Sequence, residues 1–134
     1  MKNNFIPEII KRNFFHQCTN QDELINLINL KPIKAYIGFD CTAPSLHVGS
    51  LLQIMCLRML QKYGHQPIIL LGGGTTLIGD PSGKDTTRKI LEDKTIDENI
   101  KKIKKIFDKL LNFKDKQTKP IFVNNAEWLN KLQY

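Results

Sequence analysis

Two short apolar runs, Ala-Tyr-Ile-Gly-Phe at 35–39 and Pro-Ile-Ile-Leu-Leu at 67–71, flank a stretch at 46–63 that is apolar almost all round. Runs of strand length on either side of one of helix length restrict the fold to a βαβ unit, with parallel strands and a right-handed crossover. Gln53, Arg58, Gln61 and Lys62 are the main polar exceptions in the middle stretch, so its helix is expected to be largely covered by protein. Gly64 supplies the residue that tolerates a left-handed backbone and ends it.

The remaining elements follow from spacing. Ile6, Ile9, Ile10 and Phe14 recur at helical intervals and predict a helix over 5–15. A second helix is expected from Asn20, with Glu23 as its capping-box partner, and Lys31-Pro32 ends it. Residues 72–84 read as a long glycine-bearing loop. The helical pattern returns near Asp97, where Ile100, Ile103, Phe107, Leu110 and Leu111 mark one face and lysines the other. Pro120-Ile121-Phe122-Val123 reads as a third strand and Glu127-Trp128-Leu129 as the start of a helix. The expectation is an α/β fold, a Rossmann-like parallel sheet with flanking helices, forming a single partial domain over 1–134. Three strands would leave a sheet edge and an apolar face uncovered.

Composition excludes several classes of function. With 41% apolar and 25% charged residues the chain reads as globular. No run approaches the roughly 20 apolar residues of a membrane span, so no membrane partner is expected. The N-terminus lacks a signal-peptide core, which points to the cytosol, or to an organellar matrix. Cys18, Cys41 and Cys56 are odd in number and lack a C-x-x-C pair, so neither a disulfide framework nor a protein-bound metal is suggested. Cys56 is expected in the core. The net charge of +7 is compatible with an RNA or nucleotide partner. Lys101, Lys102, Lys104, Lys105 and Lys109 supply much of it, and by themselves read as a solvated helix face.

The chemistry-bearing residues gather after the first strand. His47-Val48-Gly49-Ser50 places a histidine at the start of a helix, whose exposed amides and dipole favour a phosphate. A helix-capping histidine without a ligand is the alternative for His47, and helix packing the alternative for Gly49. Gly79-Asp80-Pro81-Ser82-Gly83-Lys84 has P-loop flavour, but its spacing is G-x-x-x-G-K and Asp85 stands where the magnesium-binding hydroxyl should be. Gly72-Gly73-Gly74 fails the G-x-G-x-x-G fingerprint.

Several blocks in order resemble the catalytic domain of bacterial and organellar tyrosyl-tRNA synthetases: Tyr36-Ile37-Gly38-Phe39-Asp40, Thr42-Ala43, Ser45-Leu46-His47-Val48-Gly49, Gly64-His65-Gln66-Pro67 and Leu77-Ile78-Gly79-Asp80-Pro81-Ser82-Gly83-Lys84. A weaker echo runs from Phe14-Phe15-His16-Gln17 to Asn124-Asn125-Ala126-Glu127-Trp128. The tryptophanyl enzymes share the fold and a related histidine signature; Tyr36 with the block at 77–84 favours tyrosine.

The resemblance implies the N-terminal portion of a class I catalytic domain, with activation of tyrosine by ATP and transfer to tRNA(Tyr). L-tyrosine, ATP with Mg2+ as its counter-ion, and tRNA(Tyr) are the implied partners. The family's homodimer interface falls largely outside the matched region, as do its other domains, so activity of these residues alone is not expected. By resemblance His47 and Thr42 contact the triphosphate, and Lys84 and Arg88 approach pyrophosphate. Tyr36, Asp80, Asp40 and Asn125 contact tyrosine, and Gly38, Gly49 and Ser50 line the ATP site beside His47. Ser50 departs from the family signature, which carries a second histidine there, and Ile37 offers no polar contact to ribose. Two other readings stay open: a non-catalytic nucleotide- or tyrosine-binding module, and a basic RNA-interaction fragment.

Overall fold

The computed structural model describes residues 3–78 and 92–132. Its elements run α1 Phe5–Lys11, α2 Gln21–Leu30, β1 Lys34–Asp40, α3 Val48–Lys62, β2 Gln66–Gly72, α4 Gly73–Ile78, α5 Asp93–Leu110, β3 Ile121–Asn124 and α6 Ala126–Leu129. The strands form a three-stranded parallel sheet in the order β1-β2-β3. Register pairs Asp40 with Gly72 and Leu71 with Asn124, so the strands finish together and their C-terminal ends make one rim.

Side-chain alternation decides which face of the sheet is dry. Phe39, Ile69 and Leu71 point into a core completed by Ile54 and Leu57 of α3 and by Ile96, Ile100, Ile103 and Phe107 of α5. Phe107 is fully buried and meets the rings of Phe39 and Phe122 edge-on, at centroid distances of 5.0 and 5.9 Å. On the opposite face Tyr36 and Gly38 are exposed, while Ile68, Leu70 and Val123 are half-buried.

Helix ends obey their local chemistry. Asn20 Oδ1 accepts from the Glu23 amide at 3.1 Å while its Nδ2 donates to Glu23 Oε2 at 2.9 Å. Gly64, at φ +86°, lets the amides of Gly64 and His65 turn back to the carbonyls of Gln61 and Leu60. The same closure explains why α1 stops at Lys11 and does not reach residue 15. Asn13, at φ 60°, takes the left-handed position, and the Phe14 amide donates to Ile9.

Four further expectations are corrected. Residues 73–78 form α4, not loop: Asn125 Oδ1 accepts from the Gly74 amide at 2.8 Å, and this tertiary bond outweighs the poor helix propensity of paired glycines. The helix expected near Asp97 begins at Asp93. Helix α3 is only partly covered, because its core contacts run through Ile54 and Leu57 while Val48 is 85% exposed and Leu51 and Leu52 also face outward. Cys56, expected in the core, is half-buried; Cys41 is the fully buried thiol.

Candidate functional site

At the C-terminal end of β1 the backbone turns through Cys41-Thr42-Ala43-Pro44-Ser45-Leu46 into α3, and a cleft of about 490 Å³ opens beside that turn. Strand β1 contributes Gly38, Phe39 and Asp40; the turn contributes Thr42, Ala43, Ser45 and Leu46; the start of α3 contributes His47, Ser50 and Gln53. Open α/β sheets offer ligands this position, outside the carboxyl ends of the strands.

The turn is held from two sides. The Cys41 amide donates to Thr76 Oγ1 of α4 at 3.1 Å, and the Cys41 carbonyl accepts from Asn99 Nδ2 of α5 at 2.9 Å. Cys41 is itself fully buried. Burial pushes its thiol up to about 11, so sulfur stays protonated and is a packing group.

His47 is the N-cap of α3, and its Nδ1 accepts from the Gly49 amide at 3.1 Å. An accepting Nδ1 carries no proton, which places the hydrogen of the neutral ring on Nε2. The capping and ligand-binding roles are therefore compatible: one nitrogen closes the helix and the other can donate. Gly49 is required by this arrangement, since a Cβ there would lie 2.8 Å from His47 Cε1 and 2.9 Å from Nδ1. The exposed amides expected at this helix start are partly spoken for, because the Ser50 amide also donates to the His47 carbonyl at 3.0 Å. What remains for an anion is the helix dipole and the His47 donor.

Asp40 and His47 give the cleft two chemical ends. The Asp40 carboxylate is an acceptor suited to a hydroxyl or ammonium group, whereas His47 and the Thr42 hydroxyl suit anionic oxygens. Ser50 lines the cleft although only 5% exposed. Gln53, one turn further along α3, lines it too and was noted in the sequence only as a polar interruption; its spacing of three from Ser50 was the available signal.

Tyr36 and Asn125, also expected at the site, are not among the residues that line the cleft. Tyr36 is 68% exposed on the same sheet face as Gly38 and Asp40, two and four residues back along β1. Asn125 is buried at the strand rim with its amide engaged: it accepts from Gly74 and donates to Thr75 Oγ1 at 3.1 Å. Thr75, which the sequence reading passed over, also donates to the Gly72 carbonyl at 3.2 Å. A Cβ at Gly72 would come within 2.7 Å of Thr75 Oγ1 and 3.0 Å of Asp40 Oδ1, so the two groups converge on that glycine. Asp80, Lys84 and Arg88 lie outside the described residues. Among the described residues no group of three or more His, Cys, Asp or Glu side chains converges on a metal position.

The chain resembles known proteins along nearly its whole length. The family profile "tRNA synthetases class I (W and Y)" matches residues 29–134. The chain is 63% identical over 132 residues to a tyrosine–tRNA ligase of Pelagibacter ubique, covering 98% of this chain and 32% of the relative. It is 54% identical over 134 residues to that of Wolbachia pipientis, covering 99% of this chain and 32% of the relative. Among solved structures, a C-terminally truncated mitochondrial tyrosyl-tRNA synthetase of Coccidioides posadasii superposes with a TM-score of 0.75 at 30% identity, covering 96% of this chain and 37% of that one. The chain thus spans about a third of the length of the curated relatives it matches.

Proposed function

The chain belongs to the class I tRNA synthetases of the W and Y group, and from that membership we propose that it serves tyrosine–tRNA ligation, supplying the part of the active site that binds ATP and tyrosine. The observation that carries this reading is the cleft: Gly38, Asp40, Thr42, His47 and Ser50, chosen from sequence as site residues, line one cavity at the end of β1. That the substrate is tyrosine is supported by relatives named tyrosine–tRNA ligase that match nearly the whole chain.

In the proposed reaction a tyrosine carboxylate oxygen attacks the α-phosphorus of ATP. The bond to the bridging oxygen breaks, and pyrophosphate leaves with the electron pair and Mg2+ as its counter-ion. A terminal tRNA hydroxyl then attacks the tyrosyl carbonyl and AMP departs. Catalysis of the first step rests on positioning and on donors aimed at growing negative charge. His47 Nε2 and Thr42 are those donors here, and Asp40 orients a hydroxyl or ammonium group of the bound substrates. Lys84 and Arg88 are proposed at pyrophosphate, and Asp80 and Tyr36 at tyrosine. Asn125 acts on the same site through Gly74 and Thr75.

Tyrosine-dependent ATP–pyrophosphate exchange tests the reading. It is measured on the chain itself and on a chimera in which residues 1–134 replace the matching third of the Pelagibacter relative. A hydrogen bond to a charged group is worth about 1.5 to 3 kcal/mol, so His47→Ala should slow exchange by roughly ten- to a hundredfold. Wild-type exchange that His47→Ala leaves unchanged, or a well-folded chimera without exchange, overturns it. Tight tyrosine or ATP binding by that inactive chimera would select a non-catalytic binding module.

A further inference from the structure

The positive charge of the chain is concentrated in one place. Residues 101–119 hold eight lysines and two aspartates, a net +6 of the chain's +7. The segment comprises the second half of α5 and the connection leading to β3. In the first half of α5 the sign is reversed, with Asp93, Asp97 and Glu98 against Lys94. Asn99 marks the border, and its bond to Cys41 places the acidic half beside the cleft.

The basic half lies at the other end of the sheet. Arg58 donates to the Leu110 carbonyl, and Gln61 Nε2 donates to the carbonyls of Asn112 and Thr118 at 2.6 and 2.9 Å. Gln66 Nε2, at the start of β2, donates to the Lys119 carbonyl at 2.9 Å. These bonds fix the basic connection against the C-terminal end of α3 and the N-terminal ends of the strands, away from the rim that carries the cleft.

We propose that this end of the molecule, Lys101, Lys102, Lys105 and Lys109 with Lys114 and Lys116, is an RNA-binding surface that grips the phosphodiester backbone without reading sequence. All six side chains are exposed, and no described residue forms an ion pair with any of them. Lysines 101, 105 and 109 recur every four residues along α5, a rise of about 6 Å per step, which presents charges in a row to successive phosphates. The helix dipole accounts for cations in the last turn of α5, but not for Lys114 and Lys116 beyond it. RNA is favoured over a lipid surface because none of the exposed large apolar side chains of the described residues falls within 101–119; Phe113 and Phe122 stack on each other at 5.6 Å. A surface with charge and nothing to insert suits a polyanion in water. The proposal stands on this charge distribution and does not depend on the ligase reading.

The test is binding of a labelled single-stranded oligouridylate by the 134-residue chain, followed by fluorescence anisotropy. With about four phosphates neutralised, affinity should fall about 50-fold between about 50 and 200 mM salt. The combined variant Lys101→Gln, Lys102→Gln, Lys105→Gln, Lys109→Gln should lose at least about tenfold in affinity at low salt and flatten the salt dependence. Arginine at the same four positions should retain binding, which separates lost charge from a disturbed helix. Four neutralised lysines elsewhere, at Lys11, Lys31, Lys34 and Lys131, should change affinity by less than about twofold. Absence of wild-type binding, equal losses in the two glutamine sets, or binding to anionic vesicles but not to RNA each overturns the proposal. None of these readouts involves aminoacylation.

Discussion

Asn99 Nδ2 donates to the Cys41 carbonyl across 2.9 Å and 58 positions of sequence, so a helix outside the βαβ unit holds the turn from which Thr42 and His47 project. Both partners are buried, and the turn has no solvent to fall back on if the donor is lost.

Asn99→Leu should cost about 1 to 3 kcal/mol of folding stability, the penalty for leaving a buried carbonyl unmet. It should also weaken ATP binding, because Thr42 and His47 then sample more positions. Asn99→Asp, which has no amide to donate, should behave similarly at neutral pH. Chemical denaturation and ATP titration of the two variants check this; wild-type values in both would remove Asn99 from the site's support.

Two glycines should separate folding from binding. A Cβ at Gly38 meets nothing within 4 Å, yet Gly38 lines the cleft. Gly38→Ala should leave the unfolding midpoint nearly unchanged and reduce ligand affinity. Gly64 also has open space around it but sits at φ +86°, so Gly64→Ala should destabilise the fold by about 1 to 2 kcal/mol with little effect on the affinity of folded protein.

Thiol reactivity should follow exposure and charge. Cys18 is exposed, Cys56 half-buried with its thiol pushed up by burial, and Cys41 fully buried with its thiol pushed up to about 11. Iodoacetamide at about pH 8 should label Cys18 first, Cys56 more slowly, and Cys41 only on unfolding. Mass spectrometry of timed aliquots reads the order, and early labelling of Cys41 would contradict the closed turn.

His65 should set a pH dependence of stability. It is 1% exposed, its Nδ1 accepts from the Ile33 amide at 3.2 Å, and Phe5 stands edge-on at a centroid distance of 5.9 Å. Burial holds its pKa below the ordinary value, so the unfolded chain takes up a proton before the folded one does. Stability is therefore full above the unfolded value of about 6.5 and declines as pH falls below it, until the folded ring also titrates. Asp115, held low by the Gln117 amide and the Thr118 hydroxyl, acts only below the ordinary carboxylate range. The thermal midpoint should drop between about pH 7 and pH 5, and His65→Phe should flatten that slope despite a lower midpoint throughout.

Much of the fold was legible because local signals agreed with tertiary need. Asn20 with Glu23, Lys31-Pro32 and Gly64 terminate helices by short-range chemistry, and the apolar period of α5 matches the face it buries. Expectations missed where a distant partner decided, or where a local backbone angle left no mark in the residue pattern. The glycines at 73 and 74 look like loop until Asn125 caps them, and Asn13 ends α1 through a backbone angle that its neighbours do not announce. In the site, His47, Thr42, Asp40, Gly38 and Ser50 share a short stretch, so the strand-to-helix turn alone brings them together. Thr75 and Gln53 escaped notice because their place depends on register between strands and on helix phase.

The two bonds that secure Cys41 also impose a timetable. A chain emerging from the ribosome releases His47 and its cleft-lining neighbours early, but the Cys41 turn meets Thr76 35 positions later and Asn99 58 positions later. The pocket cannot be finished in order of synthesis: its walls exist before the struts that shape them. Ligand capture by a nascent chain would thus be delayed until α5 has docked, making occupancy of the cleft a reporter of late assembly and not of the first βαβ contacts.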